Sequence, residues 1–219
     1  MIMRIKQAVI REKIMIRLTS AIAVLVFAGT TLPAMAELST YKIDSAHSSA
    51  NFSVRHMMIS NVKGEFSKVT GSIDYDPKKP SASKIDATID MDTVDTREPA
   101  RDKHLKSPDF FDTAKYPTME FKSKKVVAKG KQLDVTGDLT LHGVTKEVVL
   151  HVDGPSAEIN DGHGGLRRGA SATTKINRQD FGVQYNKNLD GGGLAVGNEV
   201  DISIDVEFSK PKVAAAPAQ

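Results

Sequence analysis

The chain has 219 residues and no cysteine, and its 30 Lys and Arg residues against 27 Asp and Glu residues give a formal net charge of +3. Without cysteine the protein can form no disulfide, no catalytic thiolate and no lipid anchor at a cysteine, so packing alone must stabilise the fold. The length is sufficient for one well-packed domain.

Residues 1–36 are predicted to be a cleaved secretory signal peptide. Basic residues precede an apolar run at 21–29, and Ala34-Met35-Ala36 has the small-residue pattern of a signal peptidase site. An uncleaved membrane anchor is the alternative, but the run is shorter than a membrane span. Removing five basic residues and one acidic residue with this segment changes the net charge from +3 to −1. We therefore predict a periplasmic protein without stable membrane insertion and without a nucleic-acid partner.

Residues 37–209 are predicted to form one domain built from strands, and residues 210–219 a disordered tail. Apolar and polar residues alternate with a period of two, which places every second side chain on one face of a strand. Residues 48–56 and 66–75 are predicted to pair as a long hairpin around a bend at 57–63. Further strands are predicted at 41–43, 84–91, 119–122, 126–128, 133–141, 148–152, 170–176 and 200–208.

Residues 95–117 interrupt the alternation and predict one or two short helices. Ser107 has the features of a helix N-cap, with Pro108 at the first helical position. Phe110 and Phe111 then require an apolar surface, either as a lid over one end of the sheet or packed against its wall.

About eight to nine strands, one helical insertion and no βαβ rhythm predict an all-β fold. We favour an eight-stranded antiparallel lipocalin-like β-barrel with a short helical insertion over a two-sheet sandwich, because closure removes exposed strand edges. The interior of a barrel of this size holds either side chains or one slender ligand.

Five segments resemble the YceI family of bacterial periplasmic proteins, also called polyisoprenoid-binding proteins. In family order, and spanning residues 44–208, they are DSAHSSANFSVRHMMISNVKGEFSKVTGSIDYDP, DKHLKSPDFFDTAKYPTMEFKS, GDLTLHGVTKEVVL, INRQDFGV and VGNEVDISIDVEF. The resemblance implies an extended barrel whose long apolar tunnel binds an isoprenoid chain, such as a polyprenyl diphosphate or a quinone tail. It implies a binding or carrier protein with an isoprenoid-type lipid as its partner, no catalytic residue and no cofactor.

The tunnel implied by this resemblance would be lined by apolar residues of the predicted strands and of the insertion. The candidates are Phe52, Val54, Ile73, Met91, Phe110, Phe111, Phe121, Leu139, Leu141, Ile202 and Ile204. Each could instead fill a core or face the other side of the sheet. Candidates for contact with a diphosphate head group are Arg97, Arg101 and Lys106, although interleaved acidic residues also suit a solvated helix face.

Three other functions remain open from the sequence. An enzyme acting on such a lipid would need a titratable group inside the barrel. A periplasmic metal-binding stress protein could use His47 and His56 with the adjacent Met57 and Met58, but none of the six histidines has the spacing of a metal site, so no metal ligand is predicted. A purely structural barrel, and a homodimer formed through a strand edge, are also possible.

Overall fold

The computed structural model of the protein describes residues 38–211, which form one unit. The predicted signal peptide and residues 212–219 lie outside the described residues. Within these residues there are twelve strands and one α-helix, α1 (Pro99–Lys106). The strands are β1 (Ser39–Ile43), β2 (Ser49–His56), β3 (Ser60–Phe66), β4 (Val69–Tyr75), β5 (Lys84–Asp90), β6 (Val94–Asp95), β7 (Thr118–Lys129), β8 (Gln132–Leu141), β9 (Val144–Asp153), β10 (Ile159–Asn160), β11 (Gly165–Asn177) and β12 (Val196–Pro211).

Eight of these strands close into an antiparallel barrel, which confirms the predicted fold class. Its order is β11-β9-β8-β7-β5-β4-β1-β12, and pairing of β11 with β12 over thirteen residue pairs closes the ring. The long β12 has two partners on its other edge, since Phe208 and Ser209 pair with β1 whereas Val196 to Asp205 pair with β2. The β2–β3 hairpin thereby extends the wall at one end of the barrel.

The predicted pairing of residues 48–56 with 66–75 is wrong. β2 pairs with β3 instead, from Ala50 opposite Phe66 to His56 opposite Ser60, and β4 pairs with β1 and β5. A turn of three residues, 57–59, is enough to reverse the chain, so Ser60–Lys63, predicted to be part of the bend, belong to β3.

The insertion contains one helix, and the predicted start of a helix at Ser107 is wrong. Glu98 is the N-cap of α1, its carboxylate accepting a hydrogen bond from the backbone N–H of Ala100, and Pro99 occupies the first turn. Ser107 is the C-cap, because its backbone N–H donates to the carbonyl of His104. The backbone N–H groups of residues 110–113 then donate to carbonyls of residues 105–107, so this segment folds back on the end of α1 instead of starting a new helix.

Inward-facing apolar side chains of the barrel form two packed clusters. The larger runs along the barrel through Phe66, Val135 and Leu139, and the smaller contains Tyr41 and Phe208 near the ends of β1 and β12. β12 continues to Pro211, two residues past the predicted domain boundary at residue 209. Among the described residues, no helix is long and apolar enough to cross a membrane.

Candidate functional site

The barrel encloses an elongated apolar cavity of about 510 Å³. This volume is within the range of roughly 300–1,000 Å³ that is usual for small-molecule sites. The wall comes from alternate residues of successive strands, as in β8, where Leu133, Val135, Leu139 and Leu141 are buried and face inward while the residues between them are more exposed. The period of two predicted from the sequence therefore decides which side chains line the cavity.

Ten of the eleven predicted tunnel residues line this cavity, and their contact with a ligand stays a prediction. They are Phe52, Val54, Ile73, Phe110, Phe111, Phe121, Leu139, Leu141, Ile202 and Ile204. Met91 is only 1% exposed but is not part of the cavity wall. β5 ends at Asp90, and Met91 begins a 3₁₀ turn whose N-cap is Asp90, so the strand alternation does not extend to it.

The three predicted head-group residues occupy different positions. Arg101 lines the cavity, and its guanidinium donates to the hydroxyl and the carbonyl of Thr96 at 2.8 and 2.9 Å. Arg97 lies in a separate groove beside Lys63, and Lys106 at the end of α1 does not line the cavity. The structure thus brings one of the three to the cavity.

One end of the cavity, here called the mouth, is framed by α1, the segment after it, the loop before β12 and the β2–β3 turn. Tyr185 of the loop packs between the insertion's side chains, with its ring centroid 4.8 Å from that of Phe110 and 5.0 Å from that of His104. Phe111 packs on Phe66 of β3 at 5.8 Å. Because Phe110 is buried and also lines the cavity, the insertion both covers the mouth and packs on the wall.

The cavity wall contains Arg, Lys and His residues but, among the described residues, no Asp or Glu. Four cations, Arg55, Arg101, Arg178 and Lys187, are part of the lining, together with His56 and His104. Within residues 38–211 no Asp or Glu lines the cavity, and none of the four cations has a carboxylate oxygen within 4.0 Å. The four cations therefore have no direct ion-pair partner among the described groups, although Asp102 shares the Thr96 hydroxyl with Arg101 and Asp109 pairs with His104 at 2.8 Å.

Arg178 is the most deeply buried of these cations, with 5% of its surface exposed. It begins a 3₁₀ turn capped by the Asn177 side chain, and its guanidinium donates to the carbonyls of Val183, Val196 and Gly197 at 2.8, 3.3 and 2.9 Å. Burial lowers the pKa of Arg178, but an arginine starts so far above neutrality that it stays charged. One side chain thus fixes the loop before β12 and contributes a buried positive charge beside the cavity.

At the opposite end of the cavity, Tyr75 of the wall belongs to a cluster that we call the far-end plug, formed by Tyr41, Tyr75, Glu158, Arg168 and Lys210. The Arg168 guanidinium donates to the Tyr41 hydroxyl at 3.1 Å and lies over the Tyr75 ring, 5.3 Å from its centroid. Glu158 accepts a hydrogen bond from the Tyr41 hydroxyl and pairs with Arg168 and Lys210 at 3.6 and 3.4 Å. Both cations of the plug thus have a carboxylate partner.

The two histidines of the metal hypothesis do not come together. His47 precedes β2 and His56 ends it, so roughly 30 Å of extended chain separates them. His47 does lie near the carboxylates of Asp44 and Glu207. However, the Arg167 guanidinium donates to both of these carboxylates at 2.5 and 2.6 Å and already supplies the positive charge that a metal ion would bring.

Several lining residues were not among the predicted site residues. Some of them, such as Val135, Leu150 and Val200, continue the same alternating faces and could have been found from the pattern alone. Arg178, Tyr185 and Lys187 come from a 3₁₀ turn and an irregular loop. No periodicity in the sequence indicates the direction of their side chains.

Comparison with known proteins gives one consistent result. The YceI-like domain family matches residues 41–208. Protein YceI of Escherichia coli O157:H7 is 40% identical over 174 residues, covering 78% of this chain and 87% of that protein. The crystal structure of the Campylobacter jejuni YCEI protein superposes with a TM-score of 0.58 at 34% identity, covering 71% of this chain and 89% of that one. A polyisoprenoid binding domain from Saccharophagus degradans, implicated in plant cell wall breakdown, shares the fold with a TM-score of 0.58 at 18% identity, covering 80% and 100%.

Proposed function

Since this chain belongs to the YceI-like family, we propose that it is a binding protein that holds an isoprenoid-type lipid in its barrel cavity. The observation that carries the proposal is the combination of an apolar bore with a mouth whose charged lining residues are all basic. A ligand that matches both features has a long apolar tail and an anionic head. Among the predicted ligands, a polyprenyl diphosphate suits this site better than a neutral quinone.

The energetics of such binding are favourable without any catalytic group. Each carbon moved from water into an apolar bore contributes about 0.8 kcal/mol, so a tail of some twenty carbons gains on the order of 15 kcal/mol before losses. Ordering a flexible chain removes much of this gain. The remainder still allows tight binding, and an anionic head near Arg55 and Lys187 would add charge-assisted hydrogen bonds at the rim.

Binding rather than turnover is favoured by the chemistry of the wall. Inside the part of the chain that the structure describes, the cavity has no carboxylate to serve as a general acid or base. The two lining histidines, His56 and His104, belong to the elements that frame the mouth rather than to the middle of the bore. We propose a periplasmic carrier, store or sensor; the proposed location depends on the signal peptide predicted for residues 1–36.

Direct identification of the bound lipid is the first test. We expect native mass spectrometry of protein purified from its host to show a mass beyond that of the polypeptide, and organic extraction to release an isoprenoid. Purified protein should also bind geranylgeranyl diphosphate in a stoichiometry of one. Protein that carries no lipid and binds no isoprenoid diphosphate would contradict the proposal, and release of a reaction product would support the enzyme instead.

A matched pair of variants on β11 connects binding to the cavity. Ala172 is half-buried and lines the bore, whereas Thr173, the next residue, is exposed on the other face of the strand. Ala172→Phe should fill the bore and abolish lipid binding, while Thr173→Phe should bind as the wild type does. If Ala172→Phe fails to fold by circular dichroism, Ala172→Leu provides a smaller obstruction. A folded Ala172→Phe protein with full affinity would exclude the bore as the site.

A further inference from the structure

The β2–β3 turn exposes three consecutive apolar side chains at the mouth. Met57, Met58 and Ile59 are 43%, 55% and 77% exposed, and we call them the hairpin tip. None of the three lines the cavity. Contiguous exposed apolar residues on a soluble domain commonly mark a surface that contacts another molecule or a membrane.

The backbone of the hairpin tip is unusual for its sequence. Met57 and Met58 both have positive φ, 48° and 63°, in the left-handed region that glycine and asparagine adopt more easily. An Asn-Gly pair would form a tight turn with less strain and without exposing apolar surface. Backbone strain from positive φ at non-glycine residues is often retained at functional sites. The two methionines are therefore consistent with side chains that contact a partner.

The hairpin tip is attached directly to the rim of the cavity. The Met57 backbone N–H donates to the carbonyl of Ala195 at 2.8 Å, and Ala195 lines the cavity. Arg55, which also lines the cavity, donates to the Met58 carbonyl at 2.9 Å. A surface that receives the tip is therefore brought next to the mouth of the cavity.

The charged residues between the ends of the hairpin turn are basic, although Asp190 lies in the neighbouring loop and Glu65, Asp95 and Asp201 line the groove that contains Lys63. Residues 55–63 contain Arg55 and Lys63 and no acidic residue, and Lys187 adds a third exposed cation from the neighbouring loop. Among residues 38–211, none of these three has a carboxylate within 4.0 Å, and Arg55 and Lys187 are the two that also line the cavity next to the hairpin tip. Apolar side chains flanked by cations are the combination that binds the interface of anionic bilayers.

We propose that the hairpin tip docks the protein on an anionic phospholipid surface, with the mouth of the cavity facing the bilayer. The apolar side chains enter the head-group region, and Arg55 and Lys187 contact the lipid phosphates. An isoprenoid tail can then pass between the bilayer and the bore without exposing its whole length to water. Transfer of an isoprenoid rests on the proposed function, but docking on vesicles can be measured in protein that binds no isoprenoid.

The test is co-sedimentation with vesicles of phosphatidylglycerol and phosphatidylethanolamine, using vesicles of phosphatidylcholine alone for comparison. Wild-type protein should bind the anionic vesicles, bind the neutral ones more weakly, and lose binding as salt rises. The double variant Met58→Asn/Ile59→Ser keeps a residue that tolerates positive φ at position 58 and should bind about tenfold more weakly. Wild-type protein that does not bind anionic vesicles would overturn the proposal.

Ile159→Ser is the matched control. Ile159 is as exposed, at 61%, but lies on β10, whose partner β11 pairs there with the end of β12 remote from the mouth. Roughly 40 Å of β12 separates the two places. Ile159→Ser should bind vesicles like the wild type, and an equal loss in this variant would refute docking through the hairpin tip.

Two further outcomes separate this proposal from its alternatives. The hairpin-tip variant should retain bound isoprenoid. Ala172→Phe should bind vesicles although it binds no isoprenoid. Lipid binding and membrane docking can therefore fail independently of each other. Sedimentation equilibrium of the wild type and the hairpin-tip variant should give the same mass. A dimer that dissociates in the variant would assign the tip to contact between two copies of the chain and overturn membrane docking.

Discussion

The two ends of the cavity differ in how their charges are balanced. At the far-end plug, Glu158 compensates Arg168 and Lys210, and the aromatic rings of Tyr41 and Tyr75 cover the guanidinium. At the mouth, the described residues leave the lining cations without carboxylate partners. The cations at one end are thus paired within the protein, whereas the four lining cations at the other end have no direct carboxylate partner among the described residues and can pair with an anionic molecule. This difference is the basis of our proposal that a ligand enters at the mouth with its head group at the rim.

The largest expected effect comes from Arg178, the buried cation of the mouth. Arg178→Met would leave the carbonyls of Val183, Val196 and Gly197 without their donor, and each buried unsatisfied carbonyl costs about 1–3 kcal/mol. We expect the free energy of unfolding in urea to fall by about 3–5 kcal/mol, since some carbonyls can rebind water.

Arg178→Lys separates the two roles of this side chain. The lysine keeps a positive charge but cannot reach three carbonyls with a planar fork, so its stability should lie between those of the wild type and Arg178→Met. If Arg178→Met is as stable as the wild type, the mouth does not depend on this residue. Arg178 would then not be a structural counterpart of the ion cluster in the far-end plug.

A smaller effect is expected from the two exposed cations of the rim. Arg55→Gln/Lys187→Gln should weaken binding of geranylgeranyl diphosphate by about 10- to 100-fold, as two charge-assisted contacts are lost, and should leave binding of the uncharged alcohol geranylgeraniol unchanged. Isothermal titration calorimetry on both ligands measures this selectivity. Equal weakening for the two ligands would mean that the rim does not recognise an anionic head.

The strands, their inward faces and the closed all-β fold were predictable because alternation is local. Leu139 and Leu141, for example, face inward as a period of two requires. Pairing was less predictable. The break between Phe66 and Val69, which ends β3 and separates it from β4, has no glycine or proline to mark it, so the sequence did not indicate that β2 pairs with the nearer strand.

The charged part of the site was the least predictable. The tertiary partners of Arg178 are carbonyls up to nineteen residues away, and no local pattern distinguishes such an arginine from a solvated one. Arg97 and Lys106 cluster in sequence with Arg101, yet of the three only Arg101 lines the cavity. Arg97 precedes α1, and Lys106, five residues after Arg101, lies on a different face of the helix, so clustering in sequence does not place the three at one site.

The smallest expected effect is a pH-dependent one in the far-end plug. The Tyr41 hydroxyl, then Lys210 and Arg168, hold the pKa of Glu158 below its ordinary value of 4.5. Because the folded-state pKa is the lower one, the stabilisation is complete above pH 4.5 and is lost as the pH falls through the folded-state value. Glu158→Gln should therefore reduce the free energy of unfolding by about 1 kcal/mol at pH 7, a modest value because the pair is partly exposed to solvent.

The difference in free energy of unfolding between wild type and Glu158→Gln should shrink progressively below pH 4.5, as measured by urea unfolding at a series of pH values. A difference that stays constant down to pH 3 would mean that the Glu158 charge does not hold the plug closed, and its contribution would then come from packing with Tyr41.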